Sequence, residues 1–446
     1  MVIIVGQAES LKILIAGGLF SLTAKYDNAV FAIANALSQL ADVCVLSVSR
    51  FPRSRLRPPH TRFNVVEPCA SWRLLMECIR NFGHARRTVS RYVSLYSPSG
   101  VLSFVRYLAN YSQLGLTIES YGPDVVHVHS NDLERAGFID FLLSSNRHPF
   151  LLTVHGLSSL DPNIPTPYDE RPLEKRILKE LSKRGVFITF VSSGLKEATL
   201  QHFGIADRRL TVVPNGVDMD RFRPVSPSRK NEIRTKYGVP LQRKILIQVG
   251  ELWGPKNHML VLRSLASLNS GLLRQLLYIV VGGGIEKSSL IRFCRENQLA
   301  GSCVFMGRRY GMELVELYQA SDLLLIPSTS ESFPLVMLEG MASGLPVLTF
   351  ADLWPVADIA NHQNSVLVQE RTVESFNEAL VEATQRSWNS SEIRRFAERF
   401  TWLAVAARYK ALYSKIVEQH SGGNSTIKGA LEGMSGERSY PGGDRG

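Results

Sequence analysis

The sequence predicts an α/β chain made of two doubly wound, Rossmann-like halves facing each other across a cleft. Three observations lead there. Short apolar runs, buried-type on both faces as parallel strands are, alternate with helical stretches over most of the 446 residues. The alternation is interrupted by a polar stretch at 223–243, rich in Pro, Ser and charge, and then restarts. A chain of this length also allows two large cores.

The first half opens with a strand over 11–16 (LKILIA) ending at Gly17-Gly18, then a helix over 29–40 and a strand over 43–47. This is the opening β-loop-α-β of a doubly wound fold. Two further apolar runs end in histidine: 125–129 (VVHVH) and 150–156 (FLLTVHG). Ligands of open parallel sheets bind outside the carboxyl ends of the strands, which points to His155; His127 and His129 fit a strand face as core residues. Strands over 187–192 and 210–214, with a helix over 193–202 between them, complete this half. Asp218-Met219-Asp220 matches a DxD metal-chelating string, but it runs into linker composition, and no metal is expected.

The second half starts with 245–250 (ILIQVG), a loop ELWGPKN and a helix over 258–268. Strands follow at 276–281, 303–306, 323–327, 346–350 and 364–368, with helices over 288–297, 313–320, 373–385 and 391–400. A final helix over 402–417 closes the pattern, and the Gly/Ser-rich remainder lacks apolar periodicity and reads as disordered. The expected domains are therefore 1–220 and 221–400, a C-terminal helix over 401–420 packing back on the first, and a tail at 421–446.

The most informative stretch is 321–350, SDLLLIPSTSESFPLVMLEGMASGLPVLTF. A buried strand leads through a small polar loop into a helix, with Pro334 suited to its first turn and Gly344 stopping it. Glu331 lies in the loop and Glu339 inside the helix. Between them the helix N-terminus offers unpaired N–H groups, a seat for phosphate. Carboxylates on both sides of an anion seat fit a ligand with hydroxyls on both sides of a phosphate, as in a nucleotide sugar. A helix with one solvated glutamate fits the spacing too.

The formal charge is +11, and 50–91 alone holds ten arginines against Glu67 and Glu77. Interleaved Phe51, Phe63, Trp72, Leu74, Leu75, Phe82 and Tyr92 give it a basic amphipathic character that suits an anionic membrane surface or a merely solvated face. No nucleic-acid signature accompanies it. No apolar run approaches the roughly 18 residues of a membrane span. The N-terminus lacks a secretory pattern, and the five cysteines are scattered, so the expected location is cytoplasmic, at the inner face of the cell membrane.

The segments LTVVPNGVD, VGELWGPKN and ESFPLVMLEGMASGLPV, the last preceded by SDLLLIPS, resemble the retaining GT-B glycosyltransferases of the group-4 type over roughly 11–414. The resemblance implies an acceptor domain followed by a nucleotide-sugar domain, with a UDP- or GDP-sugar as donor substrate and no cofactor. It implies that Glu331 holds the donor sugar's hydroxyls and Glu339 the ribose. Leu335 and Val336 would offer N–H groups to the diphosphate, helped by Lys256, and His155 would contact the donor sugar. Gly250, Gly307, Arg308, Ser332 and Phe333 complete the donor set, and Gly17 and Gly18 stand nearest the acceptor. The implied acceptor is a glycan or lipid-linked precursor of cell-surface polysaccharide or glycolipid. A nucleotide-sugar epimerase, a soluble-acceptor synthase and a non-catalytic nucleotide-sugar-binding module are the alternatives.

Two departures from the family pattern stand out. Glu251 occupies a position where most relatives have Arg, so it is expected to point away from the diphosphate and leave it to Lys256, with Arg308 or Arg309. Asp352-Leu353-Trp354-Pro355-Val356-Ala357-Asp358 replaces the usual Gly-Gly-x-x-Glu, where an altered sugar or acceptor contact is expected.

Overall fold

The computed structural model describes residues 10–17, 29–47, 63–66, 72–89, 98–129, 133–145, 148–157, 160, 171–205 and 209–434. The first half is a seven-stranded sheet of β1 (Lys12–Gly17), β2 (Asp42–Ser47), β3 (Asn64–Val66), β4 (Val125–His129), β5 (Phe150–Val154), β6 (Phe187–Phe190) and β7 (Leu210–Val212). All pairings are parallel, in the order β3-β2-β1-β4-β5-β6-β7. Its helices are α1 (Ala29–Leu37), α2 (Trp72–Val89), α3 (Pro98–Tyr121), α4 (Leu133–Ser145), α5 (Arg171–Lys183) and α6 (Ser193–Phe203).

The second half repeats the plan with β8 (Lys244–Val249), β9 (Leu276–Val281), β10 (Cys303–Gly307), β11 (Leu323–Ile326), β12 (Val347–Phe350) and β13 (Ser365–Val368), parallel and ordered β10-β9-β8-β11-β12-β13. It carries α7 (Pro227–Lys236), α8 (His258–Ser267), α9 (Ser270–Gln275), α10 (Lys287–Glu296), α11 (Gly311–Ala320), α12 (Leu335–Ala342), α13 (Val356–Ile359), α14 (Val373–Gln385) and α15 (Ser390–Ala397). The strands are mostly apolar because helices cover both faces: Leu276 to Val281 are all buried.

The last helix, α16 (Trp402–Met434), returns to the first half. Its Val405, Ala406, Tyr409, Tyr413 and Ile416 share one buried cluster with Ile13 and Ile15 of β1 and with Val43 and Val45 of β2. The return is tied by the Val217 N–H, which donates to the Phe400 carbonyl at 2.8 Å. The helix is longer than expected, running past 417 into the Gly/Ser-rich stretch; 435–446 lie outside the described residues.

The polar stretch at 223–243 is no plain linker. Ser226 caps α7 by accepting from the Arg229 N–H, with Pro227 next in line. Its cations are used inward: Lys230 and Arg234 each reach Asp322 at 2.7 Å, and the Ile245 N–H donates to the same carboxylate at 2.7 Å. A charged sequence that looks solvated is here a buried polar network. The described helix of the basic segment, α2, by contrast, turns much of its surface outward. Leu75, Met76, Ile79 and Phe82 of α2 are exposed, as are Val101 and Val105 of α3. Arg73 pairs with Glu119 and Arg80 with Glu77, while Arg86 and Arg87 lie exposed in the last turn of α2. Arg50, Arg53, Arg55, Arg57, Arg62 and Arg91 lie outside the described residues. Among the described residues no helix is long and apolar enough to cross a membrane.

Candidate functional site

In each sheet the strand order turns back at the first strand, between β1 and β4 and between β8 and β11. The carboxyl ends at such a point open a crevice. Lys256 follows β8 and Glu331 follows β11, and they meet: Lys256 Nζ lies 2.5 Å from Glu331 Oε1. The Ser328 hydroxyl donates to the same oxygen at 2.7 Å. Both side chains are largely buried, with 27% and 10% exposed. A short turn, Gly254–Lys256, presents the lysine, and the Gln248 amide fixes that turn by donating to the Lys256 carbonyl at 2.7 Å. The lysine stem packs alongside Gly250, where a Cβ would lie in ordinary contact at 3.6 Å from Lys256 Cγ.

Helix α12 begins beside this pair. Pro334 is its N-cap rather than part of its first turn, because its ψ of 104° is extended, and no side chain caps the helix. The Leu335 and Val336 N–H groups precede any intrahelical acceptor and are the helix's anion-seeking end. Phe333 is buried behind them. One turn in, Glu339 Oε2 accepts from the Tyr318 hydroxyl at 2.8 Å; burial first, then the Glu339 charge, pushes that hydroxyl well above the ordinary phenol range. Glu339 and Leu335 line a cavity of about 690 Å³ whose other walls include Phe31, Asp218, Arg221 and Trp402. Asp218 itself caps a turn, accepting from the Asp220 and Arg221 N–H groups.

Glu251 is held by Arg308, whose guanidinium approaches its carboxylate to 3.1 Å. Gly307 precedes that arginine with φ at 69°, a conformation suited to glycine. Arg308 thus sets a cation beside the acid of this loop.

His155 stands just past β5, half-buried, with its Nε2 2.9 Å from Nδ1 of His129. The two halves touch at this point. The Ser192 hydroxyl, which also caps α6, donates to the Ser332 carbonyl at 2.8 Å. A Cβ on Gly156 would come within 3.0 Å of Ser332 Oγ. Beside them the Ser193 N–H donates to Asp358 Oδ2 at 2.8 Å, and a Cβ on Gly194 would lie 2.7 Å from Trp354 Cα and O. The stretch 352–358 therefore packs against the start of α6. Gly17 ends β1, and Gly18 lies outside the described residues.

Sequence reasoning read His129 as a core residue, placed Asp358 only within the 352–358 stretch, and missed Ser192 and Arg371. Ser192 carries a readable signal, a serine at the junction of strand and helix. Arg371 carries none: it donates to the Ser328 and Thr329 carbonyls and pairs with Asp352, bracing the loop that holds Glu331.

The model of the glycosyl transferases group 1 matches residues 229–399, and that of glycosyltransferase family 4 matches 28–221. A D-inositol 3-phosphate glycosyltransferase of Corynebacterium jeikeium is 27% identical over 312 residues, 67% of this chain and 74% of that protein. One from Saccharomonospora viridis is 34% identical over 205 residues, 43% and 46% of the two chains. Among solved structures, sucrose-phosphate synthase from Thermosynechococcus elongatus superposes with a TM-score of 0.69 at 18% identity, over 92% of this chain and 100% of that one. HepE from Anabaena in complex with UDP gives 0.67 at 18%, over 91% and 100%. These likenesses give the fold, two Rossmann-like domains in the GT-B arrangement.

Proposed function

The chain belongs to the group 1, family 4 glycosyltransferases, and from that premise we propose that it moves a sugar from a UDP- or GDP-linked donor to a glycan or lipid-linked acceptor, with retention at the anomeric carbon. The observation that carries the reading is the Lys256–Glu331 pair at 2.5 Å beside the uncapped start of α12. A cation and two orphan N–H groups converge where a diphosphate gains charge as the glycosidic bond breaks, which is the electrostatic help such a leaving group needs. In the free protein Lys256 and Glu331 neutralise each other. Diphosphate takes over the lysine, and Glu331 turns to the donor sugar's hydroxyls.

Glu339, on the wall of the 690 Å³ cavity, holds the ribose hydroxyls. Gly250, Gly307 and the Arg308 backbone line the nucleotide, and His155 meets the sugar from the opposite half. The acceptor hydroxyl attacks the anomeric carbon on the face that the diphosphate leaves. A departing phosphate oxygen takes its proton, so no protein base is required. Glu251, tied to Arg308, stays off the phosphates.

Two observations favour different acceptors. The apolar face of α2 with its arginines supports a lipid-linked acceptor met at the inner face of an anionic membrane. The relatives' name, D-inositol 3-phosphate glycosyltransferase, supports a soluble phosphorylated acceptor. Nucleoside diphosphate release from UDP-, GDP- and ADP-sugars, measured with D-inositol 3-phosphate or with lipid acceptors, separates them. Flotation on vesicles containing phosphatidylglycerol is expected for the wild type and to be lost with Leu75, Ile79 and Phe82 changed to Ser. Unchanged flotation removes the membrane reading.

A further inference from the structure

We infer that His129 is a positioning residue that fixes the ring orientation and tautomer of His155. The inference rests on the reading of His155 as the donor-sugar contact and names what holds it there.

Parallel pairing of β4 with β5 sets His129 opposite Thr153, so His155, two residues further on, emerges past the carboxyl end of β5 beside the end of β4. It is half-buried on a loop, and the tie at 2.9 Å to His129 Nδ1 gives its ring a direction. His129 is only 1% exposed, so its own ring is fixed by packing.

Beneath it lies a second support. The His127 ring lies with its centroid 4.0 Å from that of His129, tilted by 34°, and both His127 nitrogens are engaged, Nδ1 with the Tyr413 hydroxyl at 2.6 Å and Nε2 with Thr153 Oγ1 at 2.7 Å. Burial, then the neighbouring His155, holds His127 well below the ordinary imidazole range, so it stays neutral. Thr153 continues the network to Thr189 at 2.5 Å and to the Tyr409 hydroxyl at 3.2 Å. The polar groups of α16 therefore anchor a row of three imidazoles that ends at the cleft.

A hydrogen bond between two neutral imidazoles needs one N–H and one bare nitrogen. The hydrogen bond therefore couples the tautomers of the two rings, so the proton state of His155 Nε2 depends on that of His129 Nδ1. Asparagine can place an amide where His129 Nδ1 lies; phenylalanine keeps the ring and loses the nitrogen.

The test uses the full chain and whichever of UDP-glucose, GDP-mannose and ADP-glucose the wild type cleaves. His129→Phe is expected to lower kcat roughly ten- to hundred-fold, the scale of a misplaced contact, with donor Kd little changed. His129→Asn is expected to recover most of the loss. In a His155→Ala background His129→Phe should cost nothing further, since the two act as one unit. Multiplying losses, or a His129→Phe variant as active as the wild type, overturns the inference. Imidazole 15N spectra read the positioning claim independently of activity. A single His155 tautomer in the wild type that becomes a mixture in His129→Phe supports it, and an unchanged His155 signal overturns it. If His155→Ala alone leaves transfer intact, the donor-contact reading of His155 falls, and the spectra decide the positioning claim by themselves.

Discussion

Glu251 shows how one residue's charge is settled by geometry. Its carboxylate is 54% exposed and sits 3.1 Å from Arg308, itself 39% exposed. An exposed pair of this kind contributes about 0.2–1 kcal/mol, so breaking it shifts a linked equilibrium by only a few-fold. Glu251→Gln is expected to change the Kd for UDP or GDP by less than about five-fold, by calorimetry. Lys256→Ala removes a charge-assisted bond of about 1.5–3 kcal/mol and should cost ten-fold or more. Equal losses in the two variants would mean that Glu251 touches the nucleotide. Glu331 and Glu339, which share one loop-helix unit, were singled out by spacing together with the family resemblance, since the spacing also fitted one solvated glutamate. The meeting of His129 with His155 was not, because it arises from the register of two strands 25 residues apart in sequence, and apolar patterning says nothing of register between neighbours.

At the scale of elements, the loop from β8 to α8 depends on a buried histidine. His258 opens α8 with no exposed surface; its Nε2 faces the Glu251 carbonyl at 3.3 Å and its Nδ1 the Tyr278 hydroxyl at 3.1 Å. Burial, aided by Lys256 and opposed by the Glu251 carbonyl, lowers its pKa to about 4. In an unfolded chain it would titrate near 6.5, the ordinary imidazole value. Between those values the unfolded state binds a proton that the folded state refuses, so stability falls as pH drops through the window. The full window is worth roughly 3 kcal/mol. Urea unfolding of the wild type should lose stability between pH 6.5 and 4, and His258→Phe should flatten that slope. A slope equal in both would remove the histidine from the account. Helix α7 teaches the opposite lesson about legibility. Its charged sequence read as linker because composition cannot tell a solvated lysine from one folded back onto Asp322. Helices α2 to α5 were likewise not delimited, since neither composition nor the strand pattern marked their ends. The strands were far easier: an uninterrupted apolar run such as 276–281 fits a buried parallel strand and little else of that length.

At the scale of the whole molecule, the proposed transfer draws on both halves, and they approach each other at small residues such as Gly194. Gly194 lets the first turn of α6 rest against Trp354, with no space for a Cβ. Gly194→Val is expected to hold the halves apart, raising the radius of gyration in solution scattering and cutting sugar transfer at least ten-fold, on the scale of a displaced reacting group. Donor Kd should change less, since Lys256 and α12 belong to one half. An unchanged radius with full transfer would mean that this contact is incidental. Asp358, accepting from the Ser193 N–H across the same boundary, strengthens the contact with a carboxylate at a helix N-terminus, a favourable place for negative charge. The two-half plan was legible in the sequence from the restart of the α/β alternation. The contact between the halves was not, because 352–358 lacks apolar periodicity and its partner is more than 150 residues away in sequence.

The most direct test separates binding from turnover at the clamp itself. Wild type, Lys256→Ala and Glu331→Ala are each titrated with UDP and GDP and then assayed for nucleoside diphosphate release from the matching sugar nucleotides. The expected result is cleavage by the wild type, weakened nucleotide affinity in Lys256→Ala, and retained affinity with lost cleavage in Glu331→Ala. Nucleotide affinity unchanged in Lys256→Ala, or full cleavage by Glu331→Ala, would contradict the donor site assigned to this pair.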